Sequence, residues 1–184
     1  TWNTEKAVQI VKELRQAVES VSVDSTTGIS SYTRTANGID AMQGDVCVKI
    51  MFHADKVVRV YKSHSAEIAK KSLTVVQPTA AAAEFALEEK DGVVTLDNSH
   101  VIVRLDLATA CVTVLRKDGT VLTEEAGSSF APYMDGPNES HQIQQSFRLA
   151  TDEYIFGMGQ VQNGALNQRG KVMNMVQDNM KVYI

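Results

Sequence analysis

The densest chemistry in the chain lies near its end, over residues 147–179, FRLATDEYIFGMGQVQNGALNQRGKVMNMVQDN. Gly157 and Gly159 stand two apart beside Gln160. Glycines at that spacing let a backbone turn sharply or lie close against another group. A polar series follows: Gln162, Asn163, Asn167, Gln168, Arg169, Asn174, Gln177, Asp178 and Asn179. Amides engage vicinal hydroxyls as paired donors and acceptors, and carboxylates as acceptors. A sugar pocket uses such groups together with an apolar face for the C–H surface of the ring. Met173, Met175 and Met180 or Tyr183 are the candidates for that face. A second reading of the same composition stays open, a solvated loop whose Asn and Gln serve turns.

Two phosphate-binding motifs are excluded at this place. A dinucleotide fingerprint needs a third glycine where Gln162 stands, inside a strand–helix unit that is missing here. A P-loop needs a Gly-Lys-Ser/Thr end, and none follows.

The elements that must carry this segment are mostly strands. Over residues 4–21, Ala7, Val11, Leu14, Val18 and Val21 recur at helical spacing, with Asn3 or Thr4 as cap, so one helix is expected there. Its apolar stripe needs something to dock on. A polar stretch over 23–31 links it to a region of period two. Residues 30–35 and 39–43 flank Asn37-Gly38 and predict a hairpin with a type I′ turn. Val46, Val48, Ile50 and Phe52 alternate with Cys47, Lys49, Met51 and His53, a strand with one strongly apolar face. Asp55-Lys56 then turns into another strand over 57–62. Short strands are expected at 85–89, 93–96, 100–106, 111–116 and 120–123, punctuated by Asp91-Gly92, Asn98-Ser99 and Asp118-Gly119. Residues 126–140, with Gly127, Pro132, Gly136 and Pro137, read as a loop before a last strand over 142–149. Without helical crossovers between these runs the sheets must be antiparallel, as in a sandwich or barrel.

Composition narrows the function classes. Charged residues make up 22% of the 184 and hydrophobic ones 43%, with a net charge of −4. An acidic balance argues against nucleic acid as partner. No apolar run reaches the roughly 20 residues a membrane-spanning helix needs. Cys47 and Cys111 each lie in an apolar run and are expected as buried free thiols. Without a Cys/His cluster no metal site is expected, and no cofactor. His53, His64, His100 and His141 are scattered in or beside strands, and nothing in their spacing assembles an acid–base pair. Glu88, Glu89, Glu124 and Glu125 are adjacent acids near turns and are expected in solvent.

Glu153 to Gln160, EYIFGMGQ, followed by LNQRGK and QDN, resembles the end of the N-terminal β-sandwich of glycoside hydrolase family 31, the family of α-glucosidases and α-xylosidases, most closely its Bacteroides-type bacterial members. The runs FHADKVVRVYKS and DGVVTLDNSHVIVRLDLATACVTVLRKDGTVLTEE are similar to strand pairs of the same domain. The resemblance covers residues 30–184. It implies a galactose-mutarotase-like supersandwich over 25–184; the helical extension over 1–24 rests on apolar spacing alone, since residues 1–22 lie outside the resemblance. It also implies a catalytic (β/α) barrel beyond Ile184. In such retaining enzymes an Asp nucleophile and an Asp acid/base stand roughly 5–5.5 Å apart, both on the barrel. This chain would then be inactive alone and reach its oligosaccharide or glycoside substrate only within the full-length enzyme. The family's N-terminal domain sends a loop over the pocket, and its Asp-bearing pattern matches Gln177-Asp178-Asn179 here, with Arg169 as a loop anchor. A removed export signal and a periplasmic or cell-envelope location are expected, a cytoplasmic one being the alternative. The competing expectation for function is a stand-alone carbohydrate-binding or interaction module.

Overall fold

The computed structural model describes residues 27–65, 75–76, 82–159 and 163–173. The helix expected over 4–21 and the 1–24 boundary lie outside the described residues. By its internal contacts the chain divides into two units, residues 1–148 and 149–184.

The described part of the first unit is all strand and turn. One sheet has the order β1-β2-β3-β4 and the other β10-β9-β8-β7-β6-β5. In the first, β1 (Ser31–Arg34), β2 (Gly38–Gln43), β3 (Val46–Ala54) and β4 (Val57–Ser63) form an antiparallel meander. In the second, β5 (Ala86–Lys90), β6 (Val93–Asp97), β7 (Val101–Asp106), β8 (Val112–Arg116), β9 (Val121–Asp135) and β10 (Asn138–Phe147) do the same. The expected antiparallel sandwich is therefore observed.

Alternation puts the core between the sheets. Ile39, Ala41, Val48, Ile50 and Phe52 face Phe85, Val94, Leu96, Val103, Leu105 and Val112 in one buried cluster. Phe52 and Phe85 meet within this cluster, ring centroids 5.5 Å apart and tilted by 52°. Cys47 is buried and unbridged, as expected, whereas Cys111, also unbridged, is only half-buried because it lies in the turn before β8.

The sheets are stitched together along both edges. On one side Tyr32 of β1 donates its hydroxyl to Glu89 of β5 at 2.6 Å. That hydrogen bond, with lesser contributions from burial and the carboxylate charge, raises the phenol above its ordinary value. Arg34 adds a hydrogen bond to the Phe85 carbonyl and lies over the Phe85 ring. On the other side Lys62 of β4 meets Glu125 of β9 at 2.8 Å, with both side chains buried. The Lys62 ammonium also donates to Ala110 O and Ser128 Oγ, each at 3.0 Å. Glu125 accepts from the Val112 N–H at 2.8 Å and from the Gln145 amide. Every polar group in this cluster therefore has a partner, the condition under which burying charge is tolerable. Glu125 corrects the expectation of a solvated acid. It faces inward beside a register shift between β9 and β10, while Glu124, on the opposite face, pairs with Arg148 at 2.9 Å.

Two further expectations change. Residues 126–135 are not a loop but the second half of β9, which continues through Gly127 and Pro132 to a two-residue turn at Gly136-Pro137. Pairing with β8 ends at Glu124, so Pro132 sits where β9 has β10 alone as neighbour. A strand with one open side accommodates a missing N–H. Asn37-Gly38 does not form a type I′ turn, because Gly38 opens β2 without a left-handed φ. Its reason is close approach: a β-carbon there would lie 1.9 Å from the Ile50 carbonyl oxygen on β3. Asp91-Gly92 does behave as read, with φ of 51° and 76° at the centre of the β5–β6 hairpin.

Candidate functional site

The second unit contains the segment singled out by its chemistry, described over 149–159 and 163–173. It is built by hydrogen bonds from polar side chains to its own backbone. At its start Glu153 accepts from the Ala150 N–H at 3.0 Å and closes a turn. The chain then runs extended through Ile155, whose N–H donates to Asn167 Oδ1 at 3.1 Å and whose carbonyl accepts from Gln168 N at 2.8 Å. These two bonds lay residues 167–168 alongside residue 155 like a short ladder.

Arg169 closes the other end. Its guanidinium nitrogen Nη1 reaches the Ala150 carbonyl at 2.5 Å and the Glu153 carbonyl at 2.7 Å. A guanidinium that holds two carbonyls fixes the entry to the segment against its exit. Gln168, only 6% exposed, bonds to the Ala165 carbonyl and, at 2.7 Å, accepts from the Asn163 amide. Asn163 Oδ1 in turn accepts from Ala165 N at 3.0 Å.

Gly157 and Gly159 sit between these parts with φ of 93° and 79°, and Met158 between them has φ 66°. Nothing lies within 4 Å of a β-carbon built on either glycine. Of the two uses open to such glycines, the sharp turn is the one realised. Three successive left-handed residues turn the chain abruptly, and the non-glycine Met158 is held there at a steric cost of roughly 1–2 kcal/mol.

The structure thus brings Gly157, Gly159 and Arg169 into one small unit and turns Asn163, Asn167 and Gln168 onto its backbone. Gln160, Gln177, Asp178 and Asn179 lie outside the described residues. Two aromatic side chains lie on the outside of the unit: Tyr154 is 62% exposed and Phe156 60%, their rings stacked at 6.0 Å. Sequence reasoning treated that pair as part of a motif and missed its exposure. The signal was available in the alternation of Tyr154, Ile155 and Phe156, which puts the two aromatics on the same side of an extended segment.

Residues 47–183 match the family described as the glycosyl hydrolase 31 N-terminal galactose mutarotase-like domain. Among solved structures, a GH31 α-xylosidase from Xanthomonas citri is similar at 25% identity and a TM-score of 0.67, over 79% of this chain and 16% of that one. A GH31 dextranase from Flavobacterium johnsoniae, complexed with glucose, aligns at 18% identity and a TM-score of 0.63, over 79% and 18%. A GH31 α-xylosidase from a soil metagenome, complexed with xylose, aligns at 17% identity and a TM-score of 0.64, over 78% and 24%. The last two likenesses concern the fold. In all three cases this chain spans a quarter or less of the protein it resembles.

Proposed function

Because this chain belongs to the N-terminal galactose-mutarotase-like domains of glycoside hydrolase family 31, we propose that it is the non-catalytic N-terminal part of a retaining α-glycosidase, an α-glucosidase or α-xylosidase. In this reading the sandwich packs on a catalytic (β/α) barrel of the same polypeptide. The second unit lends a loop to the substrate pocket. Both catalytic carboxylates stand on the barrel, one as nucleophile and one as acid/base. The observation that carries the reading is the family match over residues 47–183, in a chain that spans a sixth of the Xanthomonas α-xylosidase.

The contribution of this chain to the chemistry is positional. Arg169, Asn167 and Gln168 fix the loop base, and the left-handed turn at residues 157–159 sets its direction. Since Asn163, Asn167 and Gln168 are engaged with their own backbone, contact with sugar hydroxyls falls to Gln177, Asp178 and Asn179. A carboxylate there accepts from hydroxyls and an amide pairs with them as donor and acceptor. Groups of this kind hold the ring in register with the attacking carboxylate.

The test is direct. The 184-residue chain, purified alone, is expected to give no turnover of p-nitrophenyl α-glucoside or α-xyloside, and measurable turnover overturns the proposal. A stand-alone sugar-binding module is the second reading, favoured by the exposed stack of Tyr154 and Phe156. It requires affinity of the isolated chain for an oligosaccharide, read by calorimetry.

A further inference from the structure

The two sheets have four edge strands between them, and the four differ in how they are protected. An edge strand offers a row of open N–H and C=O groups to any other strand, and short length, charge or proline normally blunts it. β1 has four residues. β5 has five, and Glu88, Glu89 and Lys90 are among them. β4 carries Arg59 and the buried Lys62. β10 has ten residues, no proline, and one formal charge, Glu139, near its start. Residues 138–143 are all exposed, Ile143 to 65%. Among the described residues the one strand paired with β10 is β9, and that pairing runs regularly from Asn138 to Ser146. The turn at Gly136-Pro137 closes on the pair Asp135–Asn138. In a hairpin with a two-residue loop the closing pair exchanges hydrogen bonds, and the bonded side alternates from there. The N–H and C=O groups of residues 139, 141, 143 and 145 therefore point away from β9.

We infer that this open edge pairs with the same edge of a second copy, β10 against β10, antiparallel about a two-fold axis. Such a contact uses the same patch on both partners and closes at two copies. Facing residues must then share parity, so that open groups meet open groups. The regular stretch 138–146 has Gln142 at its midpoint, and an axis through Gln142 keeps the parity while pairing the whole stretch. Glu139 then stands opposite Gln145, Ser140 opposite Gln144, and His141 opposite Ile143. No like charges face each other across the axis, the arrangement that would be destabilising. Edge β5 of a second copy fits less well, because β10 has no lysine or arginine to meet Glu88 and Glu89. Nothing in this pairing depends on the catalytic role proposed above.

Sedimentation velocity of the 184-residue chain tests it. The weight-average mass is expected to rise from one copy toward two as concentration goes from about 1 to about 100 μM. Gln142→Lys sets two ammonium groups across the axis and is expected to weaken association by about tenfold or more. Ile143→Pro removes an N–H from the open side and is expected to act in the same direction. Circular dichroism identifies the variants that keep the parent fold, and either one suffices. A chain that stays single at every concentration overturns the inference. Slow hydrogen exchange at residues 139, 141, 143 and 145 in that single chain would assign the edge to a strand of its own polypeptide. Association that the folded variants do not weaken overturns it as well. So does growth past two copies, which a contact closed by a two-fold axis does not give.

Discussion

Lys62 and Glu125 join the two sheets through a cluster in which every buried polar side-chain atom has a partner. The third side of that cluster is the carbonyl of Ala110, a buried residue at φ 56°. Removing the cation alone strands a buried carboxylate, so Lys62→Met is expected to cost about 3–5 kcal/mol. Lys62→Met combined with Glu125→Leu is expected to cost less than the single change, because no buried charge is then left without a counterpart. Urea unfolding of the four members of this cycle gives the coupling, and strict additivity would show that the two side chains do not act as a pair. The sequence marked Glu124 and Glu125 as equals. Which of two adjacent acids faces inward depends on the register of β9, and that register is set by its pairing with β10. Asn163, Asn167 and Gln168 were legible as polar for the same reason that their direction was not. An amide bonds whatever backbone comes near, and the nearness of residue 155 to residue 167 is a property of the folded unit.

Elements were legible where a local rule has no competitor. The alternation in β3 forecast its buried face at Val48, Ile50 and Phe52, and Asp91-Gly92 forecast a turn with two positive φ values. Asn37-Gly38 carries the same kind of local signal, yet Gly38 is there for the passage of β3. The second half of β9 was hidden by its own composition, since glycine and proline mark loops unless the strand has an open side. The turn between β8 and β9 allows a test with a defined sign. Hydrogen bonds from the side chain and N–H of Thr120 hold the Asp118 carboxyl below its ordinary 3.8. A lowered native value means that the ionised form favours the folded chain. That contribution is present above the unfolded value and is lost as pH falls through the lowered one. Asp118→Asn keeps an acceptor for the Thr120 N–H but cannot ionise. Its stability relative to the parent chain is therefore expected to improve as pH is taken from 5 toward 3, seen as converging urea midpoints. A constant gap would mean that the charge plays no part in the turn.

At the scale of the whole molecule, the proposed function gives the sandwich and the loop unit different tasks, and the difference is measurable in the full-length polypeptide. Phe52 is 1% exposed and meets Phe85 in the contact that joins the sheets. Phe52→Ala is expected to cost about 3–5 kcal/mol, a large part of the roughly 5–15 kcal/mol that holds a domain folded. The yield of folded enzyme and its Tm should fall, while kcat/KM of the molecules that remain folded should hardly change, because the core side chains are closed between the two sheets. Arg169 presents the opposite case. It holds the carbonyls of Ala150 and Glu153 within the second unit and takes no part in the sandwich core. Arg169→Ala is expected to leave the Tm of the sandwich nearly unchanged and to raise KM by roughly tenfold, the signature of a lost binding contribution that ground state and transition state share. Arg169→Lys should recover little of it, since one ammonium cannot reproduce the fixed planar fork. If both Arg169 variants instead lowered Tm with KM intact, the second unit would be part of the scaffold, and the delivery of Gln177, Asp178 and Asn179 to a sugar would lose its support.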